Sequence, residues 1–280
     1  MDRNQNLSKE ELISWGLSTA LEACQAGDFK TAIKFWIAMA EKGNIEAQNN
    51  LGKLYGSNLD FADENGGFDT KEAIRWFKLS AEQGNVAAQN ELGLLFKYMY
   101  RGDKPFLTSR HVTKAIKWFT SAANKGHAEA RFNLGQMYSE GRTVKQDLKI
   151  TFYWWTLAAE QGHAKAQNHL GGMYENGYGV PMNSEIAVKW YTSSAKLGLN
   201  IAQFNLAWSF QYGLGGVKNY KNAYVWYLFA ASNFHPDGYK KLVQLKKEMT
   251  ADEISNAKIE LELEKARGTL YGENKLLGFD

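Results

Sequence analysis

Ala166-Gln-Asn-His-Leu-Gly-Gly-Met-Tyr-Glu-Asn-Gly-Tyr-Gly-Val180 leads into Ala187-Val-Lys-Trp190-Tyr-Thr-Ser-Ser-Ala195-Lys-Leu-Gly198, and this pair of blocks returns, with substitutions, along most of the chain. Taking the small residue that opens the second block as anchor, copies begin at Ala32, Ala73, Ala115, Thr151, Ala187 and Ala223, at intervals of 41, 42, 36, 36 and 36 residues. The base period is 36, with insertions of 5 and 6 residues in the first two intervals. Self-similarity at such a period is the mark of a stacked repeat architecture.

The register holds residue by residue. Three positions after the anchor stand Phe35, Trp76, Trp118, Trp154, Trp190 and Trp226. Eleven after it stand Gly43, Gly84, Gly126, Gly162 and Gly198, while the sixth copy departs with Phe234. Nineteen after it stand Leu51, Leu92, Leu134, Leu170 and Leu206. Ala47, Leu51, Leu54 and Tyr55 fall at i, i+4, i+7 and i+8, one face of a helix. Ala73, Trp76, Phe77 and Ala81 predict a second helix in the same way. The repeated glycine stands where one helix must end and the next begin, a position that favours a residue tolerating positive φ. Ala88 and Gly93 let helices approach closely, and the Trp and Leu rows fill the gap between hairpins. One hairpin cannot bury its own apolar face, so stacked neighbours must supply the rest.

These residues resemble the Sel1-like repeat, a relative of the tetratricopeptide repeat. The resemblance covers about residues 28–234 and implies an all-α fold, a right-handed α-α superhelical solenoid of hairpins. The expected organisation is an N-terminal tetratricopeptide-like capping hairpin over 1–43, with Gly27-Asp28-Phe29 as its turn. Five repeats follow at 44–84, 85–126, 127–162, 163–198 and 199–234, then C-terminal capping helices over 235–267 and a tail over 268–280. Pro236 is expected to open a helix running to about Glu248, and Thr250-Ala-Asp-Glu253 is a capping box opening the next.

Composition narrows the class of function. With 44% hydrophobic and 22% charged residues the 280-residue chain is no disordered polymer. Only 3 prolines, 14% aromatics and spaced glycines suit a helical array. The balance of 33 basic against 30 acidic residues exerts no strong pull toward nucleic acid or anionic membrane, and neither is expected as a partner. The N-terminus lacks a signal-peptide h-region, no stretch is long enough to span a bilayer, and a lone cysteine, Cys24, suits a reducing compartment. The expected location is cytoplasmic and the default state a monomer.

No catalytic constellation stands out. There is no phosphate-binding or dinucleotide glycine fingerprint. Gly171-Gly172 and Gly177-Tyr-Gly179 read as a close-packing site and a turn. His127 and His163 follow the repeat glycine where other copies have Asn44 and Asn85, which points to helix capping. His163 and His169 do not have the i, i+4 spacing of a helical metal pair. Cys24 has neither base nor activating charge nearby and reads as a small core residue. The acidic run from Asp60 to Gly66 lacks calcium-loop spacing. No enzyme activity, cofactor or metal is expected.

What the resemblance implies is a protein or peptide partner, docked on the inner surface lined by the first helix of each hairpin. Candidate contacts there are Asn49, Asn50, Asn90, Phe132, Asn133, Gln136, Asn168 and Asn205. The row Asn50, Asn133 and Asn205 either grips a peptide backbone or forms a hydrogen-bonded ladder between repeats. Phe204, Trp208 and Tyr212 share one helix face; Trp208 is either an interface anchor or a support for the C-terminal cap. The two insertions form a second candidate surface, carrying Asp60, Asp63 and Glu64 in one and Arg101, Lys104 and Arg110 in the other. Their opposite charges could instead face each other, though exposed pairs add only about 0–1 kcal/mol each. The resemblance implies a scaffold or adaptor, most often bacterial, or alternatively an immunity protein that occludes a cognate toxin.

Overall fold

The computed structural model describes residues 9–57, 69–98, 109–142 and 144–266, and among these every regular element is an α-helix. Helices α1 (Lys9–Gln25) and α2 (Phe29–Ala40) form the first hairpin. Five further hairpins follow: α3 (Ile45–Ser57) with α4 (Thr70–Glu82), α5 (Val86–Tyr98) with α6 (Ser109–Asn124), α7 (Ala128–Glu140) with α8 (Leu148–Glu160), α9 (Ala164–Asn176) with α10 (Ser184–Lys196), and α11 (Asn200–Tyr212) with α12 (Tyr220–Ser232). Two last helices are α13 (Gly238–Lys246) and α14 (Ala251–Ala266). From α1 to α6 each helix packs on the next, as does each from α8 to α13, and α14 packs on α12. The architecture is an α-α solenoid built of helical hairpins. The chain divides into two compact units, residues 1–130 and 131–280.

Local chemistry sets the helix ends. Gly43, Gly84, Gly126, Gly162 and Gly198 have φ between +83° and +99°, the left-handed region that reverses the chain between helices. Phe234, at the same register, keeps that backbone with φ +59° and is the one non-glycine at positive φ among the described residues. Asn44 and Asn85 cap α3 and α5, accepting the N–H of Ala47 at 2.8 Å and of Ala88 at 2.9 Å. Nδ1 of His127 and of His163 does the same for Ala130 and Ala166, at 3.2 and 3.1 Å. The expected capping role of these histidines is therefore observed. A second row of caps opens the second helices: Asp28, Asp69, Asp147, Asn183 and Asn219 each accept an N–H three residues on.

The core rests on a ring one position beyond the conspicuous tryptophans. Trp118, Trp154, Trp190 and Trp226 are only half-buried, although Trp76 of the same row is buried. The next residue is buried in every copy: Trp36, Phe77, Phe119, Trp155, Tyr191 and Tyr227. Each of the four central rings lies on a glycine of its partner helix. A Cβ on Gly52, Gly93, Gly135 or Gly171 would stand 2.5–2.6 Å from the ring of Phe77, Phe119, Trp155 or Tyr191. The absent side chain is what lets the two helices close. Adjacent hairpins are then stapled by glutamine. Gln48, Gln89, Gln167 and Gln203 are buried, and each Nε2 donates to a carbonyl near the end of the preceding helix (Ala40, Ala81, Ala159 and Ala195). Each of these carbonyls also accepts the N–H of the repeat glycine (Gly43, Gly84, Gly162 and Gly198), so the glutamine is a second donor at the helix end.

At the C-terminal end, α13 starts at Gly238 rather than at Pro236, with Asp237 as N-cap residue. The Thr250–Glu253 capping box forms as expected: Thr250 N–H donates to Glu253 Oε2 at 2.7 Å and Glu253 N–H to Thr250 Oγ1 at 3.2 Å. Cys24 is partly buried against the core of the first hairpins.

Candidate functional site

The first helices of the repeats carry the residues expected to meet a partner, and the structure sorts them. Asn49, Asn90, Phe132 and Asn133 are buried. The 17th position is buried in the first three copies, whereas at the 18th only Asn133 is. Asn50, Gln136, Asn168, Phe204, Asn205 and Trp208 are half-buried, and Tyr212 and Arg110 are exposed. Asp60, Asp63, Glu64, Arg101 and Lys104 lie outside the described residues.

Within the second unit the half-buried set comes together on α9 and α11. Asn205 Nδ2 donates to Asn168 Oδ1 at 3.0 Å, an amide bridge between successive repeats. It joins the 18th position of one repeat to the 17th of the repeat before, and so runs to a residue outside the row Asn50, Asn133 and Asn205. The bridge borders a cleft of about 240 Å³ whose wall includes Trp155, His169, Tyr178 and Tyr191. Asn176 also faces it, its Nδ2 donating to Gly172 O at 2.9 Å. The Tyr191 hydroxyl donates to Glu175 Oε2 at 2.6 Å; burial and that carboxylate push its ionisation well above the ordinary phenol range. Tyr191 therefore serves as a fixed neutral donor, not a proton shuttle.

His169 is exposed, yet its ring stacks on Trp155 at 4.6 Å and lies 5.6 Å from Phe132. Desolvation of those stacked faces lowers its pKa from the usual 6.5, and the neighbouring His163 and Lys165 act in the same direction. A neutral imidazole amid amides and aromatic rings presents hydrogen bonds and flat apolar surface, but no fixed charge.

The aromatic run on α11 continues this surface. Phe204 stacks on His235 at 4.2 Å and meets Tyr227 edge-on at 5.4 Å. Trp208 and Tyr212 pack with their rings tilted, centroids 4.3 Å apart, and Lys241 of α13 places its ammonium 4.7 Å from the Trp208 ring centroid. Trp208 is thus engaged by the C-terminal helices, whereas Tyr212 remains 46% exposed. Asn176, Tyr178 and Tyr191 do not follow from the repeat register as cleft residues. Tyr178 could have been marked only by its place between Gly177 and Gly179, in the turn that ends α9.

Among the described residues no group of three or more His, Cys, Asp or Glu side chains is arranged to hold a metal ion. No described helix is long and apolar enough to cross a membrane.

The comparisons with known proteins agree with this architecture. The family model for the Sel1 repeat matches residues 45–85, 86–127, 128–163, 164–199 and 200–233. Among solved structures, a Sel1 repeat protein from Oxalobacter formigenes is 28% identical with a TM-score of 0.67, the alignment covering 81% of this chain and 86% of that one. An immunity protein, PA5088 from Pseudomonas aeruginosa, shares the fold at 16% identity and a TM-score of 0.51, covering 82% of this chain and 85% of its own. No curated protein sequence matches the chain. Sel1 repeat proteins are in general interaction scaffolds. With five matched segments spanning well over half of its length, this chain belongs to the Sel1 repeat family.

Proposed function

We propose that this protein is a non-enzymatic scaffold that binds another protein through an extended segment laid along α9 and α11. The observation that carries the reading is the cleft itself: amides of Asn168, Asn176 and Asn205 stand beside aromatic rings, with exposed Tyr178 at one side. Amides can bond a peptide backbone whatever its sequence, and tyrosines supply contact area at low entropic cost. No nucleophile with an orienting base accompanies them, so the surface is suited to holding rather than to chemistry. The cytosol is the compartment that fits a single unpaired thiol.

The test is capture from native lysate by the full chain, with mass spectrometry of what is retained. Tyr178→Ala combined with Tyr212→Ala should lose the retained protein while the melting temperature stays put. Undiminished capture by that variant, or turnover of a small metabolite by the purified chain, would overturn the reading. An immunity role is a narrower version, for which PA5088 offers a likeness of fold. It requires the captured partner to be a toxin whose growth inhibition the chain relieves on co-expression.

A further inference from the structure

The first unit contains a second cleft, on the opposite chemical principle. It lies among α3, α4 and α5 and has a volume of about 460 Å³. Phe77, Leu94 and Leu95 make its walls apolar, and Tyr98 at its end is 50% exposed. Glu91 is the acid within it, with Lys53 at the α3 side.

Two of these residues break the repeat. At the 18th position Asn50, Asn133, His169 and Asn205 are neutral polar groups, and only this copy has a carboxylate, Glu91. At the 21st position Lys53, Gln136, Gly172 and Trp208 share no character, so packing of the solenoid does not require Leu94. Glu91 accepts one long hydrogen bond, 3.5 Å from Asn90 Nδ2. Lys53 and, from α7, Glu129 act on it across space with opposite sign, and desolvation outweighs both, raising its pKa above the ordinary carboxyl value. Lys53 offsets only part of the cost of holding a carboxylate among apolar walls, and a further cation meeting Glu91 there would form a charge-assisted pair stronger than one in water.

We infer that this cleft is a socket for one arginine or lysine side chain of a partner peptide, the methylene stem lying on Leu94 and Leu95 and the cationic head meeting Glu91. The inference rests on the protein-binding reading above and adds the chemistry of the bound segment: a basic residue flanked by neutral ones. The chemistry of the walls is what selects a long amphipathic side chain over a simple cation, because a stem of three or four methylenes can cover apolar surface while its head stays polar.

The experiment is a titration of the isotopically labelled full chain with a short capped peptide bearing arginine between alanines, followed by amide chemical shifts. The matched peptide carries citrulline, which has the same shape and no charge. The arginine peptide should move the amides of Leu94, Leu95 and Tyr98, and the citrulline peptide should bind about tenfold more weakly or worse. Glu91→Gln should bring the arginine peptide down to the citrulline level. Equal affinity for the two peptides, absence of shifts on α5, or indifference to Glu91→Gln overturns the inference. Should Glu91→Gln not fold, the arginine and citrulline comparison on the native chain still decides. Failure here alongside loss of capture through Tyr178 and Tyr212 removes the socket and leaves the scaffold standing.

Discussion

Gly93 of α5 lies directly beneath the ring of Phe119 of α6: a Cβ on the glycine would stand 2.5 Å from Cδ1 and from Cε1. No real Cβ tolerates that distance, and Phe119 is fully buried with nowhere to retreat. Gly93→Ala should therefore destabilise by about 1–3 kcal/mol through overpacking, although the same exchange in an open helix gains about 1 kcal/mol. Gly56→Ala is the control. Its Cβ would meet Ala73 Cβ at 3.6 Å and Phe77 Cε2 at 3.9 Å, ordinary contacts. It should stabilise by about 0.5–1 kcal/mol. Chemical denaturation of the two variants should give opposite signs, and equal signs would dismiss the ring-on-glycine account of hairpin closure.

His127 makes stability depend on pH. Its Nδ1 accepts the Ala130 N–H, and an imidazolium has no lone pair left to accept with. Desolvation lowers its pKa from 6.5, against a smaller opposing pull from Glu129. The unfolded chain then binds the proton more readily, so the cap's contribution is complete above the unfolded value and is lost as pH falls through it toward the lowered folded value. His127→Asn, the residue type used at Asn44 and Asn85, keeps the cap and removes this titration. The drop in melting temperature between about pH 7.5 and about pH 5 should be smaller in the variant than in the native chain. An unchanged drop would assign the acid sensitivity to His169 and His235, whose pKa values are also lowered by desolvation.

Phe234 occupies a backbone conformation that five glycines hold at the other copies, and its side chain is 81% exposed. Phe234→Gly gives up little packing and relieves left-handed strain, so it should stabilise by about 1 kcal/mol. A lower melting temperature instead would mean that the exposed ring makes contacts worth more than the strain.

Trp208 separates support from recognition. It packs along α11 with Phe204 and Tyr212, and Lys241 of α13 lies over its ring. Trp208→Ala should lower stability by about 1–3 kcal/mol, whereas Tyr212→Ala should stay within about 0.5 kcal/mol. Thermal melts of both variants test this. A neutral Trp208→Ala that nonetheless abolishes partner capture would return Trp208 to the role of interface anchor.

The hairpin array was legible because each unit contributes its own helical spacing, its own glycine and its own cap, all local to some 36 residues. Asn44, Asn85, His127 and His163 could be read as caps because capping acts over three residues. Which ring closes each hairpin was not legible. Trp118 and Phe119 are adjacent and equally apolar, and only the rotation of α6 against α5 buries the second and leaves the first half-exposed.

The candidate contacts show the same division. The asparagine row was visible in the sequence, yet Asn133 is buried while Asn205 bridges to Asn168. Equal register does not mean equal environment, because each helix face is covered by whatever its neighbour supplies. Sequence by itself determined that the chain is a stack of helical hairpins, where those hairpins turn, and that its charge is balanced. Tertiary structure alone decided which amides remain at the surface, that Glu91 stands in an apolar cleft with Leu94, and that Lys241 of α13 lies over Trp208. The physical reason is range: capping and helical periodicity act within a few residues, while burial and desolvation depend on partners brought together from distant parts of the chain.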